Sequence, residues 1–252
     1  MYMSKKRVSL TLDEDLVERI DSESDLQEVN RSRMVEGIVK EYFRNRSLKT
    51  AAVFCGGEEL KSMETWDGKP VLAHVIDRLQ GSGIQRVILL TGNNREQIKR
   101  HFGTEYEGLS LEYVSEEQPE GTASALEKIE NKVSSTFLVL NGHVLSDVDL
   151  EDMLEVHRDE SSVATMALTT VNDPSNYGVA KLKGRTILGF EEKPSSGEEP
   201  SRLINAGTYI LEPEVFDYLE KGSLEDVFET LSDVRKLSGY IYGGEWRDFS
   251  EG

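Results

Sequence analysis

The chain holds a single cysteine, Cys55, so no disulfide can close within it and no multi-cysteine zinc site can form. It lacks any apolar run near the roughly 20 residues that cross a bilayer as a helix. The amino terminus, MYMSKKRVSL, is basic, but no long apolar stretch follows, so it does not read as a secretory leader. Together these shortages point to a cytoplasmic protein with no membrane partner. Positive charge is scarce as well: 29 Lys and Arg stand against 47 Asp and Glu, for a net charge of −18. Taken whole, that balance argues against a nucleic-acid partner. Disorder is excluded, because 37% hydrophobic residues in 252 supply a sizeable core.

The charge is unevenly spread. Residues 1–50 carry ten basic and ten acidic residues, whereas residues 51–252 carry 19 and 37. A neutral head on an acidic body predicts two modules, with domains at 1–46 and 47–252. In the head, Arg7–Leu12 (RVSLTL) alternates Val8, Leu10 and Leu12 with Arg7, Ser9 and Thr11, the period of a strand. Asp13 then offers an N-cap, with Glu14 and Asp15 in the first turn of a short helix. The polar stretch Asp21–Gln27 is expected to break it. Asn30 is a second N-cap, and Met34, Val35, Ile38, Val39, Tyr42 and Phe43 mark one face of a helix reaching about Arg44.

A strand and two helices in so few residues have too little core to stand alone, and the strand has no partner. Two copies pairing strand to strand remove both deficits. KKRVSLTLDEDLVERID followed by NRSRMVEGIVKEYF resembles the ribbon–helix–helix family of dimeric DNA-binding proteins. The resemblance implies a homodimer through residues 7–12, with Val8, Leu10 and Leu12 packed inward. It implies that Arg7, Ser9 and Thr11 read base edges, and that Asn30, Arg31 and Ser32 surround a phosphate at the start of the second helix. A head that only dimerises the chain is the alternative.

Beyond a short polar connection the body alternates strands and helices. Strands are expected at Ala51–Cys55, Arg86–Thr91, Leu111–Val114, Thr136–Leu140 and Val163–Thr170, and helices at Val71–Leu79, Arg95–Phe102, Ala123–Lys132 and Leu150–His157. This is an α/β pattern, a mostly parallel sheet with helices on both faces, whose ligands sit at the carboxyl ends of the strands. Gly56-Gly57, Gly121-Thr122 and Asn141-Gly142-His143 fall at such ends. Each alone is as readily a turn.

In order, AAVFCGG, GKPVLAHVIDRL, EEQPEGTASAL, FLVLNGHVL, YGVA, ILGFEEKP, INAGTYIL and EWRDF resemble the sugar-1-phosphate nucleotidyltransferases, or nucleotide-sugar pyrophosphorylases. The resemblance implies a Rossmann-like fold over residues 50–249 and a sugar phosphate attacking the α-phosphorus of a nucleoside triphosphate. In that family two carboxylates hold metal, and an Arg- and Lys-bearing Gly-rich loop cradles the triphosphate.

Two parts of that machinery are altered. After Gly56-Gly57 the chain reads EELKSMETWDGKP, much shorter than the family's loop and without its arginine. Glu58 and Glu59 stand where triphosphate would lie, and Lys61 is the one candidate to replace the catalytic lysine. Lys69 corresponds to a later Lys-Pro. The family's Asn-Gly-Asp is Asn141-Gly142-His143, and an imidazole is a poor magnesium ligand. Asp248 matches the second carboxylate. His143 and Asp248 are therefore the candidate metal pair, for a softer ion. No cofactor is assigned, and magnesium enters only if the domain catalyses transfer.

The resemblance leaves the sugar side better kept. Gly178, Glu192, Lys193, Asn205 and Gly207 match positions that contact the sugar or its phosphate. Glu116 falls where many relatives read the base. A carboxylate only accepts, which suits the two donors on guanine's pairing edge, although Glu116 also fits a solvated acidic run. The expected function is a DNA-binding transcriptional regulator whose body binds a sugar phosphate or nucleotide sugar. The alternatives are a working nucleotidyltransferase dimerised by its head, and an adaptor that uses its acidic body to bind a protein.

Overall fold

A computed structural model describes residues 8–26, 29–45, 47–57, 59–116 and 120–250 of the chain. The chain divides into two compact units, Met1–Arg46 and Ser47–Gly252.

The first unit contains α1 (Glu14–Leu26) and α2 (Arg31–Asn45). The expected break at Asp21 does not occur, and α1 continues to Leu26. Its last turns carry no apolar stripe, but Ser24 is buried and donates to the Ile20 carbonyl at 2.7 Å, so the polar run still serves the helix. Asn30 caps α2 as expected, its Oδ1 accepting from the Arg33 amide at 2.9 Å. Residues 8–12 are not a strand, and Val8, Leu10 and Leu12 are 70%, 62% and 38% exposed. A strand is defined by its ladder, and one copy of this segment has none to pair with. Arg7 lies outside the described residues.

The second unit runs in order β1 (Thr50–Phe54), β2 (Thr65–Trp66), β3 (Lys69–Pro70), α3 (Val71–Asp77), β4 (Arg86–Leu90), α4 (Arg95–Phe102), β5 (Glu105–Tyr106), β6 (Leu109–Val114), α5 (Thr122–Glu127), β7 (Phe137–Asn141), β8 (Val144–Ser146), α6 (Leu150–Glu160), β9 (Ala164–Thr170), β10 (Gly178–Lys183), β11 (Thr186–Glu192), β12 (Leu203–Leu211), α7 (Leu224–Asp233), β13 (Leu237–Ile241) and β14 (Trp246–Asp248). The helix expected over 123–132 is split into α5 and a 3₁₀ turn, Glu130–Lys132.

Ten strands form one mixed sheet in the order β10-β11-β13-β9-β12-β7-β1-β4-β6-β5. Its longest parallel run is β7-β1-β4-β6. Beyond β7 the sheet is mixed, with β12 antiparallel to both β7 and β9 and β13 parallel to β9. The buried strands alternate between two cores. Ala51, Val53, Val87, Leu89, Leu138 and Leu140 face α3, α4 and α6. Ala52, Ile88, Leu90, Phe137 and Val139 face α5 and α7. Continuous apolar runs such as RVILL are what a strand covered on both faces requires.

The chain winds outward from β1 through β4 to β6, then returns to place β7 on the other side of β1. The carboxyl ends of β1 and β7 therefore flank the switch point of the sheet, where α/β folds leave a crevice.

Candidate functional site

In the first unit Ser9, Thr11, Asn30, Arg31 and Ser32 are all exposed. Arg31 is already engaged. Its Nε lies 2.6 Å from Asp21 Oδ1, and its second nitrogen pairs with Oδ2. This bidentate bond lowers the Asp21 carboxyl below its usual range and raises the guanidinium.

At the switch point, the amides of Cys55 and Gly56 both donate to the Leu90 carbonyl at 3.0 Å. A Cβ on Gly56 would stand 2.8 Å from the backbone of Thr91 and Gly92, so glycine is required by the close approach of two strand ends. The Gly57 carbonyl accepts from Asn94 Nδ2 at 2.8 Å. Cys55 is fully buried, and burial pushes its thiol far above the usual range, which leaves it inert. Glu116 follows the end of β6. It is 8% exposed, so the solvated-run reading of this residue fails, and burial raises its carboxyl against the opposing pull of Lys128.

The short segment after Gly57 folds as a 3₁₀ turn, Lys61–Met63, and the β2–β3 hairpin. Glu58 lies outside the described residues. Lys61 Nζ is 3.3 Å from Glu59 and 3.2 Å from Glu64, and these two carboxylates, Glu64 foremost, raise its pKa. Lys69 pairs with Asp77 on α3.

Antiparallel pairing of β8 with β14 sets Val144 opposite Asp248, and the Phe249 amide donates to the His143 carbonyl at 3.0 Å. This ladder brings His143 Nε2 to 3.9 Å from Asp248. Burial lowers the imidazole pKa, against the smaller pull of Asp248, and so favours the neutral ring. Among the described residues no group of three or more His, Cys, Asp or Glu side chains could hold a metal ion. One imidazole and one carboxylate do not make the oxygen-rich set magnesium requires. The residues present do not fit it.

On the sugar side, Gly178 pairs with Glu192 across β10 and β11. A Cβ at Gly178 would meet Phe190 at 2.3 Å and Glu192 at 2.8 Å. Burial and the nearby Glu225 raise the Glu192 carboxyl, while Lys193 lowers it. Lys193 is exposed with a positive φ of 46°, its amide tied to the Tyr177 carbonyl at 3.1 Å. Asn205 Oδ1 accepts from the Gly207 amide at 2.9 Å and its Nδ2 donates to the Tyr209 hydroxyl at 2.7 Å, closing an irregularity in β12. Gly121 and Thr122 stand at the start of α5. Thr122 Oγ1 accepts from the Leu224 amide at 2.7 Å, so this pair fastens α5 to the start of α7.

Three residues escaped the sequence reading. Burial, and after it Glu225, raise both Glu192 and the Tyr209 hydroxyl, but the approach of Glu225 to β11 exists only in the fold. The Arg247 guanidinium carbon lies over the Trp66 ring, 4.1 Å from its centroid. The signal available for Glu225 was Ser223-Leu224-Glu225-Asp226, a capping box that places acids at a helix start.

Comparison with known proteins matches both units. The family model described as nucleotidyl transferase covers residues 59–248, and that of ribbon-helix-helix protein, copG family, covers 6–45. A mannose-1-phosphate guanylyltransferase of Mycobacterium tuberculosis is 35% identical over 197 residues, or 75% of this chain and 54% of that protein. A D-glycero-alpha-D-manno-heptose 1-phosphate guanylyltransferase of Aneurinibacillus thermoaerophilus is 33% identical over 186 residues, 72% of this chain and 80% of that protein. The chain spans only 44% to 61% of the length of the first curated relatives it matches. Among solved structures, a UDP-glucose pyrophosphorylase complexed with UDP-glucose superposes with a TM-score of 0.71 at 20% identity, covering 81% of this chain and 94% of the other. HddC from Yersinia pseudotuberculosis gives 0.69 at 23%, covering 80% and 93%. At such identities these structures show the fold.

Proposed function

The chain belongs to the nucleotidyl transferase family and carries an N-terminal ribbon–helix–helix domain of the copG family, and we propose that it is a DNA-binding regulator whose body binds a sugar phosphate or nucleotide sugar without transferring it. One observation carries this reading: Lys61, the one candidate for the lost catalytic lysine, is held between Glu59 and Glu64. Transfer of a nucleotidyl group depends on cations that meet charge developing on the phosphates. A lysine already neutralised by two carboxylates supplies little of that, and the His143–Asp248 pair does not fit magnesium. Each loss is worth several kcal/mol of barrier on the scale of such electrostatic contributions, about a hundredfold or more in rate.

Binding asks for less. Lys193, Glu192 and Asn205 can hold a sugar phosphate through one cation and several hydroxyl acceptors and donors. The relatives named as guanylyltransferases, together with the buried acceptor Glu116, favour a guanosine ligand. In the head, exposed Ser9 and Thr11 suit base-edge hydrogen bonds once two copies pair, and the uncovered Val8 and Leu10 supply the apolar face for that pairing. The protein then links a nucleotide-sugar signal to DNA occupancy in the cytoplasm.

The second reading, an active transferase, is favoured by the enzyme names of the relatives. One experiment separates the two. GDP-mannose and mannose 1-phosphate are screened for thermal stabilisation, and pyrophosphate release is followed with GTP, mannose 1-phosphate and Mg²⁺. Stabilisation that is lost in Lys193→Ala, without pyrophosphate release, supports the regulator. Robust release by the wild-type chain promotes the enzyme. His143→Asp alone leaves the chain inactive under the regulator reading, because the loop is still short.

A further inference from the structure

The segment that replaces the family's phosphate-binding loop brings an aromatic shelf to the strand carrying Asp248. Trp66, on the β2–β3 hairpin, is 41% exposed. The Arg247 guanidinium carbon sits 4.1 Å from its ring centroid and 5.9 Å from that of Phe249, and the two rings meet edge to face at 5.5 Å. In the β8–β14 ladder Arg247 lies opposite Leu145 and Asp248 opposite Val144, so their side chains leave on opposite faces. Asp248 turns to His143, and Arg247 turns to the shortened loop.

The lack of a carboxylate partner for this arginine among the described residues is unusual for its surroundings. Residues 51–252 hold about two acids for every base. Lys61 on the same segment is taken by Glu59 and Glu64. Arg247 is exposed, and among the described residues no carboxylate pairs with it. A guanidinium held over an indole ring still presents its fork of N–H donors. That fork matches two oxygens of a phosphate or diphosphate, which a lysine cannot match.

We propose that Arg247, shelved on Trp66, is the group that grips the diphosphate of a nucleotide-sugar ligand, in place of the loop arginine this chain lacks. The proposal rests on the reading that the body binds a nucleotide sugar, and adds the residue that selects a diphosphate over a monophosphate. Lys193 serves the sugar end, and Arg247 serves the nucleotide end.

Calorimetry with GDP-mannose and mannose 1-phosphate as probes tests it, on the full-length wild type, Arg247→Gln, Arg247→Lys and Trp66→Ala. Arg247→Gln weakens GDP-mannose by about tenfold or more, as loss of a bidentate charged contact requires, and leaves mannose 1-phosphate unchanged. Arg247→Lys recovers only part of the loss, and Trp66→Ala lowers GDP-mannose affinity less than Arg247→Gln does. GDP-mannose binding unchanged in Arg247→Gln overturns the proposal while the ligand reading stands. Equal weakening of both probes with a lower ligand-free melting temperature also overturns it, because Arg247 is then a latch for the hairpin. If the wild type binds neither probe, the ligand reading itself fails and takes the proposal with it.

Discussion

Asp21 of α1 holds Arg31 of α2 by both arms of its guanidinium, with Nε 2.6 Å from Oδ1. The pair occupies the place where the head is expected to meet a DNA phosphate. Both side chains are about half exposed, 56% for Arg31 and 44% for Asp21, so water and salt weaken the bond. Phosphate and Asp21 then compete for one fork. Asp21→Ala frees Arg31 and raises DNA affinity a few-fold for all sequences alike, whereas Arg31→Ala lowers it for all sequences alike. Fluorescence anisotropy on the chain's own upstream region and on random duplex, across a salt series, checks this. The salt slope falls by about one in Arg31→Ala. An Asp21→Ala variant with weaker binding shows instead that the pair orients Arg31.

Leu10 is 62% exposed in a single copy although it alternates with polar neighbours as a core residue would. A charge there costs a pairing of two ribbons its apolar face. Leu10→Asp should convert dimers to monomers by light scattering and abolish DNA binding while leaving ligand stabilisation of the body intact. A mutant that stays dimeric places the interface elsewhere.

A Cβ on Gly121, one of the candidate ligand residues, would stand 2.0 Å from the Gly222 carbonyl oxygen, at a φ of +110°. The glycine is required by the α5–α7 junction. Gly121→Ala is expected to cost on the order of 3 kcal/mol, or roughly 6–12 °C in melting temperature for a unit of this size. A melt within 2 °C of wild type would show that the junction yields.

The legible parts of the fold were those with strong periodicity. Val87 to Leu90 and Leu138 to Leu140 are apolar on both faces, and only a sheet covered twice buries them all. The last turns of α1 were missed because Asp21, Glu23 and Asp25 present no apolar stripe, although the buried Ser24 spares the helix a polar penalty by donating to Ile20. At the site, sequence order located His143 and Asp248, which the β8–β14 ladder brings together. It did not locate the Trp66–Arg247 stack, since nothing about a tryptophan and an arginine 181 positions apart signals contact before the hairpin folds. Nor could it show that Gly121 is needed at the α5–α7 junction.

Glu212 gives the body a titratable fastening. Its Oε1 accepts from His157 Nε2 at 3.1 Å and from Thr136 Oγ1 at 2.8 Å. A carboxylate only accepts, so Nε2 carries the proton, and Nδ1 of the buried His157 bonds Thr165 Oγ1 at 2.8 Å. The bond from His157, and then that from Thr136, hold the Glu212 carboxyl below its usual range, burial opposing them and Arg158 adding a smaller pull. A carboxyl depressed in the folded state contributes stability above its unfolded pKa of about 4.3 and loses it as pH falls through the folded value. Glu212→Gln removes that contribution. At pH 7 the variant is expected to be less stable by about 1 kcal/mol, a value held down because the carboxylate is half exposed. As pH falls through the folded value the two proteins converge. Urea melts of wild type and variant at pH 7, 5 and 3.5 measure the difference. A gap that stays constant across the three would mean that Glu212 acts through shape alone and that its charge contributes nothing.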